Sequence, residues 1–227
     1  MLPRNSKQAL EAKKFIWSES LAAFSIQCLG YERLNPRTHR DMIGALESLG
    51  KRKLIIMPRG TFKTTISSVA YPIWLLTKNP NLRIMLDSEL YTNSKMRVRE
   101  IRGHLDSDSF IRNYGNWKGP VWSDGELVIA QRTRIMKEPT IFASGISASK
   151  TGVHADFIIA DDLNSPMNTN NADNALKVIE HIKYYTSILD PDGTLVFIGT
   201  RYSALDCYQW IIDQHLSEEQ RERLKRI

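Results

Sequence analysis

Short apolar runs alternate with helical patterns along most of the chain, and this alternation predicts an α/β fold. Five runs have the length and composition of buried strands, at 53–57, 82–86, 140–143, 157–160 and 195–198. Amphipathic patterns between them predict helices at 63–76, 92–105 and 172–187. Strands that alternate with helices in this way form a mainly parallel sheet with helices on both faces.

The chain begins with helical patterns before its first predicted strand. Residues 6–29 carry apolar side chains at helical spacing, and Gly30 is expected to end that helix. A second helix is expected at 38–49, with Thr38 as its cap. Residues 106–138 are polar and aromatic, with a hairpin predicted at 122–133 around Asp124 and Gly125. We therefore expect a helical extension over 1–50, an α/β core over 51–216 and a charged linker over 217–227.

Composition narrows the class of protein without identifying it. The 227 residues are 42% hydrophobic and 25% charged, which suits one ordered domain with small appendages. The sequence has no apolar run of about 18 residues and no signal-peptide core, so a membrane protein is not expected. Cys28 and Cys207 have no metal-ligand spacing, which suits a reduced, cytoplasmic setting. The net charge of +6 agrees with a nucleic-acid partner but does not require one.

A candidate phosphate loop lies between the first strand and the helix after it. Backbone N–H groups at such a turn, together with the helix dipole, form an anion site. Lys63 is placed to reach the β and γ phosphates of a nucleotide, and Thr64 to offer its hydroxyl to Mg²⁺. The glycine positions of the usual pattern hold Met57 and Phe62, so Lys63-Thr64 alone also suits an ordinary helix start. The predicted nucleotide-binding residues are Arg59, Gly60, Thr61, Phe62, Lys63, Thr64 and Thr65.

Two acids end the apolar run at 157–160, where an NTPase needs carboxylates. Asp161 is expected to hold Mg²⁺ through water, and Asp162 is expected to orient or deprotonate the attacking water. Polar residues that follow neighbouring parallel strands gather beside a bound ligand. On that ground Thr200, after the strand at 195–198, is expected to sense the γ-phosphate, and Arg201 to carry the signal toward DNA. Each motif also has a plain alternative, a strand that ends at a polar turn.

Together, and in this order, the three motifs resemble those of viral terminase large subunits. The loop at 58–64 resembles that family's deviant Walker A motif, which carries an early arginine, here Arg59. Residues 148–162 resemble the segment that leads into Walker B, and 199–202 resemble the coupling motif. The resemblance covers about 35–210 and implies a P-loop NTPase fold of the RecA type. It also implies Mg²⁺-dependent ATP hydrolysis that drives double-stranded DNA through a portal into a prohead, by a homo-oligomeric ring in the host cytoplasm.

The sequence departs from the family pattern at several positions. Asp162 stands where the catalytic acid is commonly glutamate, and Lys150 stands nearest the family's trans-acting arginine. The resemblance makes Lys150 a candidate catalytic cation that enters a neighbouring subunit, beside the alternatives of a solvated lysine or a DNA contact. The glutamine expected beside adenine is not evident, and Arg37, Thr38 and His39 occupy its region. We also expect the nuclease domain of full-length terminases to be absent.

Two other functions are compatible with the same motifs. A helicase-type or other P-loop translocase would share Lys63, Thr64, Asp161 and Asp162 and would differ in its partner. A DNA-binding module without enzymatic activity would make the motif likeness accidental. That module would show no ATPase activity and no Mg²⁺-dependent nucleotide binding.

Overall fold

One seven-stranded sheet organises the part of the chain that the computed structural model describes, residues 7–147, 152–203, 206–219 and 221. Its strands are β1 (Arg52–Ile56), β2 (Ile84–Asp87), β3 (Lys118–Trp122), β4 (Glu126–Ile129), β5 (Ile141–Ala143), β6 (Ala155–Asp161) and β7 (Leu189–Gly199). The order across the sheet is β1-β7-β6-β2-β5-β4-β3. The first five strands in this order, β1, β7, β6, β2 and β5, run parallel to one another. Strands β4 and β3 add an antiparallel edge. The predicted mainly parallel sheet is confirmed.

Helices cover both faces of this sheet. They are α1 (Lys7–Glu19), α2 (Leu21–Gln27), α3 (Pro36–Glu47), α4 (Tyr71–Lys78), α5 (Tyr91–Leu105), α6 (Asp108–Tyr114), α7 (Ala172–Lys183), α8 (Tyr185–Ile188) and α9 (Tyr208–His215). A π-helical segment, Thr65–Ala70, leads into α4. Because strand side chains alternate, Ile84 and Leu86 pack toward α1–α6, whereas Met85 packs toward α7–α9. None of the described helices is both long and apolar enough to cross a bilayer.

The prediction of one continuous helix over 6–29 is wrong, because Ser20 divides it. Ser20 has an extended backbone, and its side chain accepts the Ala23 N–H at 3.2 Å. A serine hydroxyl that caps a new helix competes with continuation of the preceding one. The break lets α2 bury Leu21 and Phe24 completely in the core.

The first turn of α3 also differs from the prediction. Its cap is Asn35 and not Thr38, and the Asn35 side chain accepts the Arg37 N–H at 2.8 Å. Proline suits the next position because its missing N–H would have no helical partner there. The helix therefore begins two residues earlier, which places His39 in its first turns.

Three neighbouring strands bring the sequence motifs to the carboxyl edge of the sheet. β1, β7 and β6 are neighbours, with Ile56 beside Gly199 and Asp161 beside Ile198. The carboxyl halves of β6 and β7 are buried, as is Ile55 of β1, and full burial of an isoleucine side chain contributes about 1.5–3 kcal/mol. The segments that follow their carboxyl ends are therefore held against one another on a rigid base.

Candidate functional site

The turn after β1 contains two residues in the left-handed conformation, separated by one residue. The Met57 N–H donates to the Gly199 carbonyl at 3.0 Å, which fixes the start of the turn to β7. Gly60 has φ of 79° and Phe62 has φ of 58°. A left-handed conformation costs a non-glycine residue about 1–2 kcal/mol, so Phe62 is held there by its surroundings. Turns of this kind direct successive N–H groups into a concave anion site.

Lys63 and Thr64 each face one of the two acids at the end of β6. Lys63 is only 6% exposed, and its Nζ lies 3.3 Å from Oδ2 of Asp162. The Thr64 hydroxyl donates to Oδ1 of Asp161 at 3.1 Å. The structure therefore brings together four residues that the sequence separates by nearly 100 positions.

Asp161 is a buried carboxylate whose charge is incompletely compensated. Burial raises its pKa to about 6, and the negative charge of Asp162 acts in the same direction. Arg97 opposes the rise, since its Nε lies 3.8 Å from Oδ2 of Asp161. The Ser68 hydroxyl faces the same carboxyl and also lowers its pKa, although it lies outside ordinary hydrogen-bond geometry. A buried acid with this balance favours the arrival of a further positive charge.

Asp162 lies in a second left-handed position, with φ of 48°. Its N–H donates to the Ile198 carbonyl at 2.9 Å, so the residue remains tied to β7 after β6 has ended. Its Oδ2 faces Lys63, whereas its Oδ1 is buried without a hydrogen-bond partner among the described residues. Because buried polar atoms are usually paired, an unpaired carboxylate oxygen at a fixed position is a candidate acceptor for a ligand or a water.

The oxygen atoms at this edge fit a Mg²⁺ ion that arrives with a nucleotide. Thr64 and Asp161 present a hydroxyl and a carboxylate 3.1 Å apart. Among the described residues, no group of three or more His, Cys, Asp or Glu side chains forms a protein cage for a metal. Mg²⁺ commonly takes only one or two protein oxygens and completes its shell with phosphates and water. The donor set therefore matches a nucleotide-borne ion better than a permanent metal.

Arg59 and Thr200 contact the segments that join β1 and β7 to the site. The exposed Arg59 donates from Nε to the Tyr202 hydroxyl at 2.8 Å and lies 5.1 Å from the centre of its ring. The Thr200 hydroxyl donates to the Met57 carbonyl at 2.9 Å. Both residues therefore link the loop after β1 to the segment after β7.

Two residues near the site were not identified as site residues from the sequence, and one predicted residue is not described. Arg97 reaches Asp161 from α5, and His39 reaches the Thr61 carbonyl from α3 at 2.9 Å. No local motif marks Arg97, and His39 was noted only as one of three residues in the region of the expected adenine-side glutamine. Lys150 itself lies outside the described residues.

A third carboxylate at the same edge, Asp87, is fully engaged by protein groups. It ends β2 and accepts a hydrogen bond from the Tyr185 hydroxyl at 2.6 Å, while His181 Nε2 lies 2.5 Å from the same oxygen. The Ser88 N–H donates to its other oxygen at 2.9 Å. Asp87 therefore joins β2 to α7 and α8 and has no open oxygen for a ligand.

A cavity of about 750 Å³ lies away from these residues. Its lining comes from β3, β4 and the loop before β5, and it includes none of the residues described above. The cavity and the cluster of charged side chains therefore lie in different parts of the molecule. The paired cations and acids at the carboxyl edge, and not this cavity, define the candidate site.

Comparison with known proteins agrees with the resemblance drawn from the motifs. The chain is 25% identical over 179 residues, 76% of its length, to the terminase large subunit of Enterobacteria phage T3. The match covers 30% of that relative, so the chain spans less than a third of its length. No protein-family profile matches the chain.

Two solved structures resemble the fold. One is S. cerevisiae Dbp5 in a complex that contains ADP, with a TM-score of 0.50 and 11% identity over 85% of this chain and 49% of that chain. The other is the Phi-28 gp11 DNA packaging motor, with a TM-score of 0.43 and 15% identity over 85% and 56% of the two chains. The first similarity bears on the fold alone, and it agrees with the predicted α/β architecture of a mainly parallel sheet flanked by helices.

Proposed function

We propose that this chain is an ATP-hydrolysing motor domain that drives double-stranded DNA into a viral prohead. The observation that carries the proposal is the meeting of Lys63 with Asp162 and of Thr64 with Asp161 at the carboxyl edge of the sheet. One pair supplies a buried cation and a candidate base, and the other supplies two oxygens for a nucleotide-borne ion. The likeness to a phage terminase large subunit supports DNA packaging as the use of this chemistry.

In the proposed mechanism, residues 59–65 bind the phosphates, with Lys63 directed at the β and γ groups. Thr64 and Asp161 would hold Mg²⁺, which neutralises charge on the phosphate oxygens when it is bound. Asp162 orients the attacking water and accepts its proton. We assign that step to its buried Oδ1, which has no hydrogen-bond partner in the part of the chain that the structure describes.

The Lys63–Asp162 contact suggests how nucleotide binding prepares the base. Lys63 Nζ lies 3.3 Å from Oδ2 of Asp162. An arriving phosphate offers Lys63 a more highly charged partner in the same buried setting, and charge-assisted bonds to phosphate are strong. We propose that Lys63 then turns from Asp162 to the phosphate, which frees both carboxylate oxygens for the attacking water.

The partners of this motor follow from the family likeness and remain proposals. They are double-stranded DNA, the portal of the prohead and further copies of the chain in a ring, in the host cytoplasm. The core over 51–216 would hydrolyse ATP, the helices over 1–50 would pack on it, and 217–227 would serve as a linker. Arg59, Thr200 and Tyr202 connect the phosphate loop to the segment after β7, so they are suited to transmit the state of the nucleotide.

The proposal is tested first by Lys63→Ala. We expect ATP turnover to fall by at least about 10²–10³-fold, because a buried cation that stabilises developing charge is lost. Steady-state phosphate release measures the effect, and circular dichroism checks the fold. Lys51→Ala is the matched control, because Lys51 lies just before the amino end of β1, away from the candidate site, and is half-exposed. Normal turnover in a folded Lys63→Ala protein would exclude the phosphate-loop assignment.

A second test concerns the proposed trans role of Lys150. A subunit with Lys150→Ala keeps its own Lys63, and a subunit with Lys63→Ala keeps its own Lys150. If Lys150 completes a neighbour's site, a mixture of the two inactive variants regains part of the turnover. Mixed assembly is confirmed by differently tagged subunits. A mixed assembly that stays inactive would assign Lys150 to its own subunit or to DNA.

A further inference from the structure

The first turns of α3 place a buried histidine against the phosphate loop. His39 is 4% exposed, and its Nε2 lies 2.9 Å from the Thr61 carbonyl. Thr61 lies between Gly60 and Phe62, the two left-handed residues of the loop. A side chain from the N-terminal helices therefore contacts the backbone at the centre of the candidate anion site.

The Thr61 carbonyl defines the donor of this contact. A carbonyl oxygen can only accept a hydrogen bond, so Nε2 of His39 carries a proton and donates to it. Nδ1 lies 2.8 Å from the backbone nitrogen of Asn35 and 2.9 Å from the Asn35 carbonyl oxygen. One of these groups donates and the other accepts, so they do not assign the proton on Nδ1. The assignment of Nε2–H as the donor to the loop therefore rests on Thr61 alone.

A bond to the Thr61 carbonyl also determines the direction of the next N–H. The carbonyl of Thr61 and the N–H of Phe62 belong to one planar trans peptide, in which they point in opposite directions. Since His39 holds the carbonyl on its own side, the Phe62 N–H is directed away from α3. Phe62 also packs its ring against the core, so the strained residue is held at both its peptide and its side chain.

The geometry points to His39 as a positioning residue of the phosphate loop, one that keeps the Phe62 N–H directed at a nucleotide phosphate. The inference rests on the proposed function, because it assigns the loop to phosphate binding. His39 touches neither the phosphates nor the reacting water in this role. It acts through the peptide that Thr61 and Phe62 share, and it makes α3 a support of the nucleotide site.

Two substitutions separate the two nitrogens of the imidazole. The amide nitrogen of His39→Gln is as many bonds from Cβ as Nε2 and can still donate to Thr61. The polar atoms of His39→Asn reach only the distance of Nδ1 and leave the Thr61 carbonyl without its donor. If the contact positions the loop, the glutamine variant should behave like the wild type and the asparagine variant should not.

The experiment measures binding of mant-ADP with Mg²⁺ and amide hydrogen exchange over residues 60–64 without nucleotide. We expect His39→Asn to weaken binding on the order of ten-fold, the effect of one lost hydrogen bond, and to speed exchange in the loop. His39→Gln should bind within about three-fold of wild type, since its donor is kept. His104→Asn is the matched control, because His104 also contacts the N-terminal helical region, through Tyr31, but lies away from the loop.

Equal binding and equal exchange for the asparagine and glutamine variants would overturn the positioning role, whatever their thermal stability. Loss of binding in His104→Asn as well would assign the effect to general loosening of the N-terminal helices. Failure of the proposed function is recognised separately, since Lys63→Ala would then bind mant-ADP as tightly as wild type. Hydrogen exchange in the nucleotide-free protein tests His39 even in that case.

Discussion

Two aspartates at opposite ends of β6 show how the two edges of the sheet differ. At the amino end, Asp156 accepts hydrogen bonds from Arg83 at its two oxygens, at 3.1 and 2.9 Å, and from the Arg83 N–H at 2.7 Å. Arg83 also contacts Asp190 and Glu138. Burial alone would raise the pKa of Asp156, but the bonds from Arg83 outweigh it, and the pKa lies below its usual value.

The carboxyl end of the same strand lacks such a partner. Asp161 is more deeply buried than Asp156, its neighbour Asp162 carries the same charge, and Arg97 remains 3.8 Å away. Its pKa therefore rises to about 6. The fully paired aspartate stabilises the fold, whereas the underpaired one lowers stability and keeps a place for a cation. Charge alone does not mark a candidate functional site, whereas incomplete pairing of a buried charge does.

The largest effect that would sharpen this contrast is expected from Asp162→Asn. Loss of the positioned base should lower ATP turnover by about 10²–10⁴-fold, while nucleotide binding by the loop persists. Turnover and mant-ADP binding are measured on the same preparation. Asp156→Asn is the comparison, and it should keep its turnover per folded molecule. If Asp162→Asn instead weakened the Mg²⁺ dependence while Asp161→Asn lost only hydrolysis, Asp161 and Asp162 would have exchanged roles.

The next prediction concerns the free energy of unfolding, which should change in opposite directions when the aspartate at either end of β6 is replaced by asparagine. A rise in the pKa of Asp161 from its usual 3.8 to about 6 corresponds to about 3 kcal/mol. Because the pKa of Asp161 is raised in the folded state, this residue contributes stability below pH 3.8. That contribution is lost as the pH rises through about 6. At pH 7, Asp161→Asn should therefore raise the free energy of unfolding by about 2–3 kcal/mol. Asp156→Asn should instead lower the free energy of unfolding at pH 7. A carboxyl group with a lowered pKa stabilises the fold at pH values above its usual pKa.

Urea unfolding in EDTA without nucleotide measures both signs. The stability difference between wild type and Asp161→Asn should change mainly between pH 3.8 and about 6. The difference for Asp156→Asn should instead shrink as acid protonates Asp156. A destabilised Asp161→Asn protein at pH 7 would contradict the assignment of Asp161 as an underpaired charge.

The sheet was predictable because each parallel strand contains a short apolar run, and such a run indicates a buried strand from local sequence alone. Phe157 to Ala160 needs no distant information to be recognised as a strand before two acids. The break at Ser20 was not predicted because the apolar spacing continues through it, while a single hydroxyl decides the helix boundary. Local pattern thus gave the strands more reliably than the helix ends.

The site could be predicted only where its residues follow strands directly. Asp161 and Asp162 lie at the carboxyl end of β6, and Lys63 lies after the turn that follows β1, so the topology of a parallel sheet brings them together. Arg97 and His39 reach the site from helices, and nothing in their neighbouring sequence marks them. Such contacts depend on helix placement, which is a property of the packed molecule.

The smallest expected effect tests how far Arg97 compensates Asp161. Arg97 lowers the pKa of Asp161, so Arg97→Gln should raise the pH midpoint of the Asp161 contribution above about 6. Because Arg97 is partly exposed and lies 3.8 Å away, solvent weakens the interaction, and we expect a rise of only about 0.5–1 pH unit. The midpoint is obtained by comparing each background with and without Asp161→Asn. Arg99→Gln is the matched control, two residues along α5 and exposed, and it should leave the midpoint unchanged. An unchanged midpoint in Arg97→Gln would mean that Asp161 has no effective cationic partner in α5, which would widen the contrast with Asp156 still further.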